Sequence, residues 1–328
     1  MRAAFYEQTG PAQTVLQLAE IATPEPGPGE VRVRLLWSGV NPSDVKARAG
    51  ARPMSFPLVI PHSDGMGVID AVGAGVSRAR IGERVWLWNG AWGRPHGTAA
   101  EFIALPEEQA VRLPDGVSGE AGACFGIPAT TAMQAVLTRG GVEGKTVLVA
   151  GGAGAVGHYA IQFARQLGAK QIISTVSSPL KAEMARLAGA DTVIDYRTEN
   201  VAERVAQVTG GRGVDRVIEV DVAGNGELDI QLVRPGGEWV IYGSGKPQFS
   251  LPFFALAARN VALYFILIYL LEAEERQRVI ATLGTLLERG GLIHNVAERL
   301  PLERIADAHE LVEQGRTVGN IVLSIGQE

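Results

Sequence analysis

The sequence predicts an α/β protein in which a six-stranded parallel sheet, flanked by helices, follows a β-rich first third. Three observations carry this. A glycine loop, Gly152-Ala153-Gly154-Ala155-Val156-Gly157, follows the apolar run Thr146 to Ala150. An amphipathic stretch, His158 to Leu167, follows the loop. Short apolar segments then alternate with helical patterns as far as Leu267.

In chain order, Val31, Val33 and Leu35 alternate with Arg32 and Arg34, as in a half-buried strand, after the turn-rich Pro24-Glu25-Pro26-Gly27-Pro28-Gly29. Gly67 to Val72, Glu83 to Trp88 and Ala99 to Leu105 predict further strands. From Thr146, six apolar segments predict parallel strands: Thr146 to Ala150, Gln171 to Val176, Thr192 to Tyr196, Val214 to Val220, Glu238 to Ser244 and Val261 to Leu267. Ala160, Phe163, Ala164 and Leu167 share one helical face, and Gly168 is placed to stop that helix. Helices over Glu274 to Arg289 and Leu302 to Gln314 precede a closing strand, Gly319 to Ile325, which is expected to fold back onto the first third.

A strand that turns on glycines into a helix presents backbone N–H groups and a positive helix end to a pyrophosphate, so the loop predicts a dinucleotide site of the Rossmann kind. The glycines alone carry little weight. With 41 glycines in 328 residues, three at fixed spacing arise by chance roughly 0.6 times, and only the flanking strand and helix give them meaning. Ala153, Gly154, Ala155 and Val156 are the loop positions expected to face the cofactor.

The composition is that of a globular protein, 46% hydrophobic and 20% charged. A net charge of −5 gives no electrostatic reason to expect nucleic acid. Cys124 is the only cysteine, which excludes an intrachain disulfide and suits a reducing cytoplasm. Neither a signal peptide nor a membrane span is expected: the uninterrupted apolar run Val261 to Leu271 is about half the roughly 20 residues that spanning needs, and predicts a buried strand passing into another buried element.

Over nearly its whole length the chain resembles the medium-chain dehydrogenase/reductase superfamily, and within it the zeta-crystallin-like NADPH:quinone oxidoreductases. The residues that carry the resemblance are Gly39-Val40-Asn41-Pro42-Ser43-Asp44, Pro61-His62-Ser63-Asp64-Gly65, Gly126-Ile127-Pro128-Ala129-Thr130-Thr131-Ala132, the glycine loop, and Val240-Ile241-Tyr242-Gly243-Ser244. It implies a GroES-like catalytic domain, residues 1–123 and 268–328, split around a Rossmann domain, residues 124–267. It also implies that Thr131, Tyr242, Gly243 and Ser244 lie along the nicotinamide half, that Phe265 to Leu267 close over it, and that Tyr196 walls the 2′-phosphate pocket. Asn41 and Asp44 match catalytic positions that line the cleft. Lys46, counted with the cofactor-facing residues, and Arg52 stand where relatives commonly carry tyrosines. Residue by residue, Asn41-Pro42 also reads as a turn and Asp44 as an N-cap for a helix over Val45 to Ala49.

No metal is expected. Asn41, Ser63 and Ile127 occupy the positions where zinc-dependent relatives carry Cys, His and Cys, and one cysteine cannot build a four-cysteine site. The five histidines show no paired metal spacing and are expected at the surface or in structural positions. Without a Lewis acid for a developing alkoxide, a conjugated acceptor is the expected substrate, because its charge spreads over the conjugated system.

The cofactor follows from the end of the second parallel strand. An NAD site places a carboxylate there for the ribose 2′-hydroxyl, yet no Asp or Glu occurs between Gly157 and Glu183. Ser177 and Lys181 stand there instead and suit a 2′-phosphate, so NADPH is expected. Arg316 is a further phosphate candidate. Trp92, between Ala91 and Gly93, is placed to cover a flat substrate, whereas Trp86 and Trp88 alternate as core residues do. Alternative expectations are a 2-alkenal or enoyl-thioester reductase, which needs a positioned proton donor, and a nucleotide- or RNA-binding protein without turnover. The apolar segment Val261 to Leu267, at a sheet edge, predicts a homodimer.

Overall fold

A computed structural model describes residues 1–315 and 317–326. The chain divides into two compact units, Met1–Ile127 with Gly284–Glu328, and Pro128–Leu283.

The first unit opens with β1 (Arg2–Phe5), β2 (Gln17–Glu20), β3 (Glu30–Val40), β4 (Asp64–Val72), β5 (Arg84–Leu87), β6 (Phe102–Pro106) and β7 (Ala110–Arg112). β3 shows the expected alternation: Val31, Val33 and Leu35 are buried, and Arg34 is exposed. β1 and β2 form a separate antiparallel ribbon.

The second unit holds β8 (Thr146–Val149), β9 (Gln171–Val176), β10 (Thr192–Asp195), β11 (Val214–Glu219), β12 (Val233–Ile241) and β13 (Ala262–Phe265). Their order is β10-β9-β8-β11-β12-β13 and every pair is parallel. The strand order reverses beside β8, the first of the six, which is where such sheets open a crevice for a ligand. Leu148, Ile173, Val217 and Trp239 are buried within its core cluster, each fully buried aliphatic side chain contributing roughly 1.5–3 kcal/mol. Arg216, inside this core, pairs with Glu238 Oε1 at 2.8 Å and donates to the carbonyls of Ala135 (3.0 Å) and Val136 (2.8 Å). That satisfied cation fixes the helix Thr130–Leu137 on the sheet.

The segment Val261 to Leu267 takes the sheet-edge position expected of it and the element after it buries Ile268 and Tyr269, but the expected burial of the strand itself is corrected. β13 pairs only with β12, so it is an edge strand, and Phe265 is 64% exposed and Leu270 63%. The segment after it stays with the second unit: Arg276 donates to the Ile268 carbonyl, and Gln134 Nε2 to Glu275 Oε1 at 3.2 Å. The chain therefore returns to the first unit at residue 284, inside the helix Ala273–Arg289, later than the expected division at residue 268.

The returning chain adds β14 (Val296–Pro301) and β15 (Asn320–Ser324). β15 pairs antiparallel with β3, Ile321 opposite Val40, so the closing strand folds back onto the first third. The resulting sheet runs β14-β15-β3-β4-β5-β7, with β6 also paired to β3. No helix among the described residues is long and apolar enough to cross a membrane.

Candidate active site

Parallel strands finish at one edge, and the registers align their ends: Val149 with Ser174, Val176 with Asp195, Ile218 with Val149, and Ile241 with both Glu219 and Phe265. Ala153 to Val156 follow β8, Ser177 follows β9, Tyr196 follows β10, Tyr242 to Ser244 follow β12, and Phe265 ends β13 with Leu267 just beyond. Thr131 is buried in the helix Thr130–Leu137 of the same unit. Lys46 is exposed on the helix Pro42–Arg48 of the first unit. Arg316 lies outside the described residues.

The glycine loop is shaped by close approach. A Cβ on Gly152 would sit 2.0 Å from Ser174 Oγ and 2.6 Å from Ile161 Cδ1, and one on Gly157 2.4 Å from the Gly151 carbonyl oxygen. Gly154 differs: its Cβ would meet only the Gly151 oxygen, at 3.2 Å. Gly154 is also the N-cap of the helix Ala155–Gln166, and no side chain caps that end. The N–H groups of the first turn and the positive helix end are thus available to an anion.

At the end of β9, Lys181 Nζ donates to Ser177 Oγ at 3.1 Å, and Ser178 Oγ accepts the Lys181 N–H at 3.3 Å, capping the helix Pro179–Leu187. A carboxylate does occur on the neighbouring strand end: Asp195 accepts from the Arg197 N–H at 3.0 Å and so closes its own turn. Tyr196 beside it is 54% exposed.

Two carboxyls here escaped the sequence reasoning. Glu219, the last residue of β11, is buried and accepts from Asn225 Nδ2 at 2.9 Å and from the Asp221 N–H. Burial and then the charge of Glu219 push Asp229 up to about 9, so this residue keeps its proton, and burial with the same charge raises the Tyr242 hydroxyl. The available signal was an acid closing an otherwise apolar strand, Val214–Glu219.

In the first unit, Asn41 is the N-cap of the helix Pro42–Arg48, with Pro42 at its first position. The expectation that Asp44 caps a helix over Val45 to Ala49 is therefore corrected. Asp44 is the third helical residue, and its Oδ2 accepts the Asn41 N–H at 2.9 Å, the reach-back half of a capping box. This leaves the Asn41 amide to donate to Asp64 Oδ2, also at 2.9 Å. Burial pushes Asp44 up to about 7 against the Asn41 N–H and the charge of Arg52. Burial, and then the charge of Asp44, hold Asp64 well above the usual carboxylate range, opposed by the Asn41 amide and the Ile127 N–H. Asn41 and Ile127, two of the three positions compared with zinc ligands, thus converge on Asp64; Ser63, the third, is buried one residue before it. Among the described residues, no group of three or more His, Cys, Asp or Glu side chains could hold a metal ion.

His62 and His309 are buried and paired, Nε2 to Nε2 at 2.9 Å, with Ser38 Oγ on His62 Nδ1 at 2.9 Å. Burial lowers both, His62 to about 3, so the pair is neutral and structural.

A cavity of about 420 Å3 opens in the same unit, with Tyr6, Met54, Phe56, Val59 and Trp92 among its walls. Arg52 and Arg94 line it too, and the Arg52 guanidinium lies 5.2 Å from the Trp92 ring centroid. Trp86 and Trp88 are buried, as their alternation predicts, while Trp92 is only partly covered.

Residues 27–115 match a family model described as the alcohol dehydrogenase GroES-like domain, and residues 155–285 one described as zinc-binding dehydrogenase. A quinone oxidoreductase of Pseudomonas aeruginosa is 34% identical, covering 94% of this chain and 95% of its own. The chain belongs to the medium-chain dehydrogenase/reductase family. Another member, a 2-haloacrylate reductase from a Burkholderia species, is 31% identical, with 98% of each chain covered. Among solved structures of the family, the Escherichia coli quinone oxidoreductase complexed with NADPH superposes with a TM-score of 0.86 at 26% identity, over 99% of this chain and all of its own.

Proposed function

We propose that this protein is an NADPH-dependent quinone reductase that works without a metal ion. The observation that carries the reaction is the commitment of the Asn41 amide, which stands where a zinc enzyme needs a thiolate, to Asp64. An amide, the Ser63 hydroxyl and the aliphatic Ile127 do not fit a catalytic zinc. The full-length likeness to named quinone oxidoreductases supports the same reading.

The strand ends of the second unit fit NADPH. The uncapped helix start and the open side of Gly154 would take the pyrophosphate, and Lys181 with Ser177 the 2′-phosphate. Thr131, Tyr242, Gly243, Ser244, Phe265 and Leu267 would line the nicotinamide half. When bound, NADPH supplies a hydride; with one proton from water, the quinone becomes a hydroquinone. The first-unit cavity, walled by Trp92, would hold the flat acceptor.

A homodimer belongs to this proposal. β13 offers an unpaired edge, and Phe253 and Phe254 are 82% and 80% exposed in the same unit. The single buried thiol, Cys124, suits a cytoplasmic site of action.

One observation favours a second acceptor class. Asp44 keeps its proton to about pH 7 and would serve as a donor to a conjugated alkene, and one relative is named for a haloacrylate. Steady-state NADPH oxidation with quinones, 2-alkenals and enoyl thioesters, after treatment with a chelator, tests the proposal. Chelator-resistant rates with quinones support it, and activity confined to alkenals or thioesters overturns it.

A further inference from the structure

The cavity of the first unit combines two features that a site for a neutral quinone does not need together. Its aromatic and aliphatic walls, with Trp92 foremost, suit a flat conjugated ring. Two guanidinium groups, Arg52 and Arg94, also line it, and among the described residues no acidic side chain is in its lining. Arg94 is anchored from the side, Nη2 to Gln109 Oε1 at 2.6 Å, which holds its head group in place. Arg52 is exposed, its guanidinium carbon 5.2 Å from the Trp92 ring centroid, within cation–π range, and a guanidinium carries a planar fork of N–H donors that matches a carboxylate. The carboxyl that senses Arg52 is Asp44, which is buried.

We propose that this cavity selects acceptors that carry an anionic group, a carboxylate or an equivalent planar oxyanion, on the conjugated ring or chain, with Arg52 as the specificity-determining residue. Trp92 takes the flat conjugated system, and the Arg52 fork takes two oxygens of the anion in parallel hydrogen bonds. The inference rests on the acceptor role proposed above for this cavity, and it narrows the acceptor class.

The test measures binding as well as turnover. Calorimetric titration with 2-naphthoate and with the uncharged 2-naphthamide compares one flat frame with and without the charge. The carboxylate is expected to bind roughly tenfold tighter or better, as a charge-assisted hydrogen bond at a partly exposed site allows. Arg52→Gln should bring the ratio close to one, and Arg52→Lys, which keeps the charge and loses the fork, should leave an intermediate ratio. The preference should shrink as salt is raised. Equal affinities in the unmodified protein, or a preference that survives Arg52→Gln, would overturn the assignment. A carboxylated quinone and its methyl ester, compared by kcat/KM, should show the same preference. If naphthoate binds through Arg52 while no quinone is reduced, the proposed activity fails and the anion site stands. If quinones are reduced with no preference for the charged form, the reverse holds.

Discussion

Lys181 Nζ donates to Ser177 Oγ at 3.1 Å, so a cation and a hydroxyl stand together where β9 ends, with no acid on that strand end. An NAD enzyme would place there the carboxylate that accepts from the ribose 2′-hydroxyl, and such a carboxylate would repel a 2′-phosphate. Lys181→Gln is therefore expected to weaken NADPH about tenfold and leave NADH nearly unchanged, since the lost contact is a charge-assisted one. Ser177→Asp should reverse the preference. Fluorescence titration with both cofactors measures this, and equal losses for the two would refute the pocket.

Gly152 and Gly154 should separate folding from binding. An Ala at 152 drives its methyl into Ser174 and Ile161, so Gly152→Ala should destabilise the protein by about 1–3 kcal/mol. An Ala at 154 meets only the Gly151 carbonyl oxygen, at 3.2 Å, a contact that a shift of a few tenths of an ångström relieves, and it would fill the space proposed for a phosphate. Gly154→Ala should melt within a few degrees of the unmodified protein and bind NADPH at least about tenfold more weakly, since each 1.4 kcal/mol is a tenfold change. Thermal melts beside cofactor titrations give both readouts.

Asp44 gives a pH dependence with a definite sign. Its folded pKa, about 7, lies above the ordinary carboxyl value of 3.8, so the folded state holds the proton more tightly. The stabilisation is complete below about pH 4 and is lost as pH rises through 7, amounting to at most about 4 kcal/mol at roughly 1.4 kcal/mol per unit. Asp44→Asn cannot ionise and keeps an oxygen for the Asn41 N–H. Its stability relative to the unmodified protein should rise between pH 5 and pH 8, as urea melts would record. A difference that does not change with pH would contradict this.

Sedimentation tests the edge strand. The unmodified protein should sediment at twice 34.7 kDa, and Phe253→Asp with Phe254→Asp should give the monomer. A monomer without the substitutions would refute the dimer.

The second unit was legible because its inner strands β8, β9 and β11 are short apolar runs largely buried on both faces, a pattern each segment states by itself. β9 falls on the residues the pattern marks, Gln171–Val176. The first unit was less legible, because its edge pieces take their structure from partners far along the chain. All four residues of β2, Gln17–Glu20, are exposed, and β14, Val296–Pro301, forms only against β15. The candidate site shows the same limit. Asn41 and Asp44 were marked by their motif, but the Asp64 contact joins residues 23 apart, and the His62–His309 contact residues 247 apart. No local spacing encodes either. The edge position of Val261 to Leu267 was legible from its place as the last segment of the series, but its exposure was not, because its residues are as apolar as those inside the sheet.

The most direct test of NADPH-dependent quinone reduction is one paired measurement: kcat/KM for NADPH and for NADH with the same quinone, following cofactor oxidation and hydroquinone formation together. The expected result is a preference for NADPH of at least about tenfold, the scale of one lost charge-assisted contact, with one hydroquinone formed per NADPH oxidised. Equal rates with NADH, or NADPH oxidised without hydroquinone formed, would contradict it.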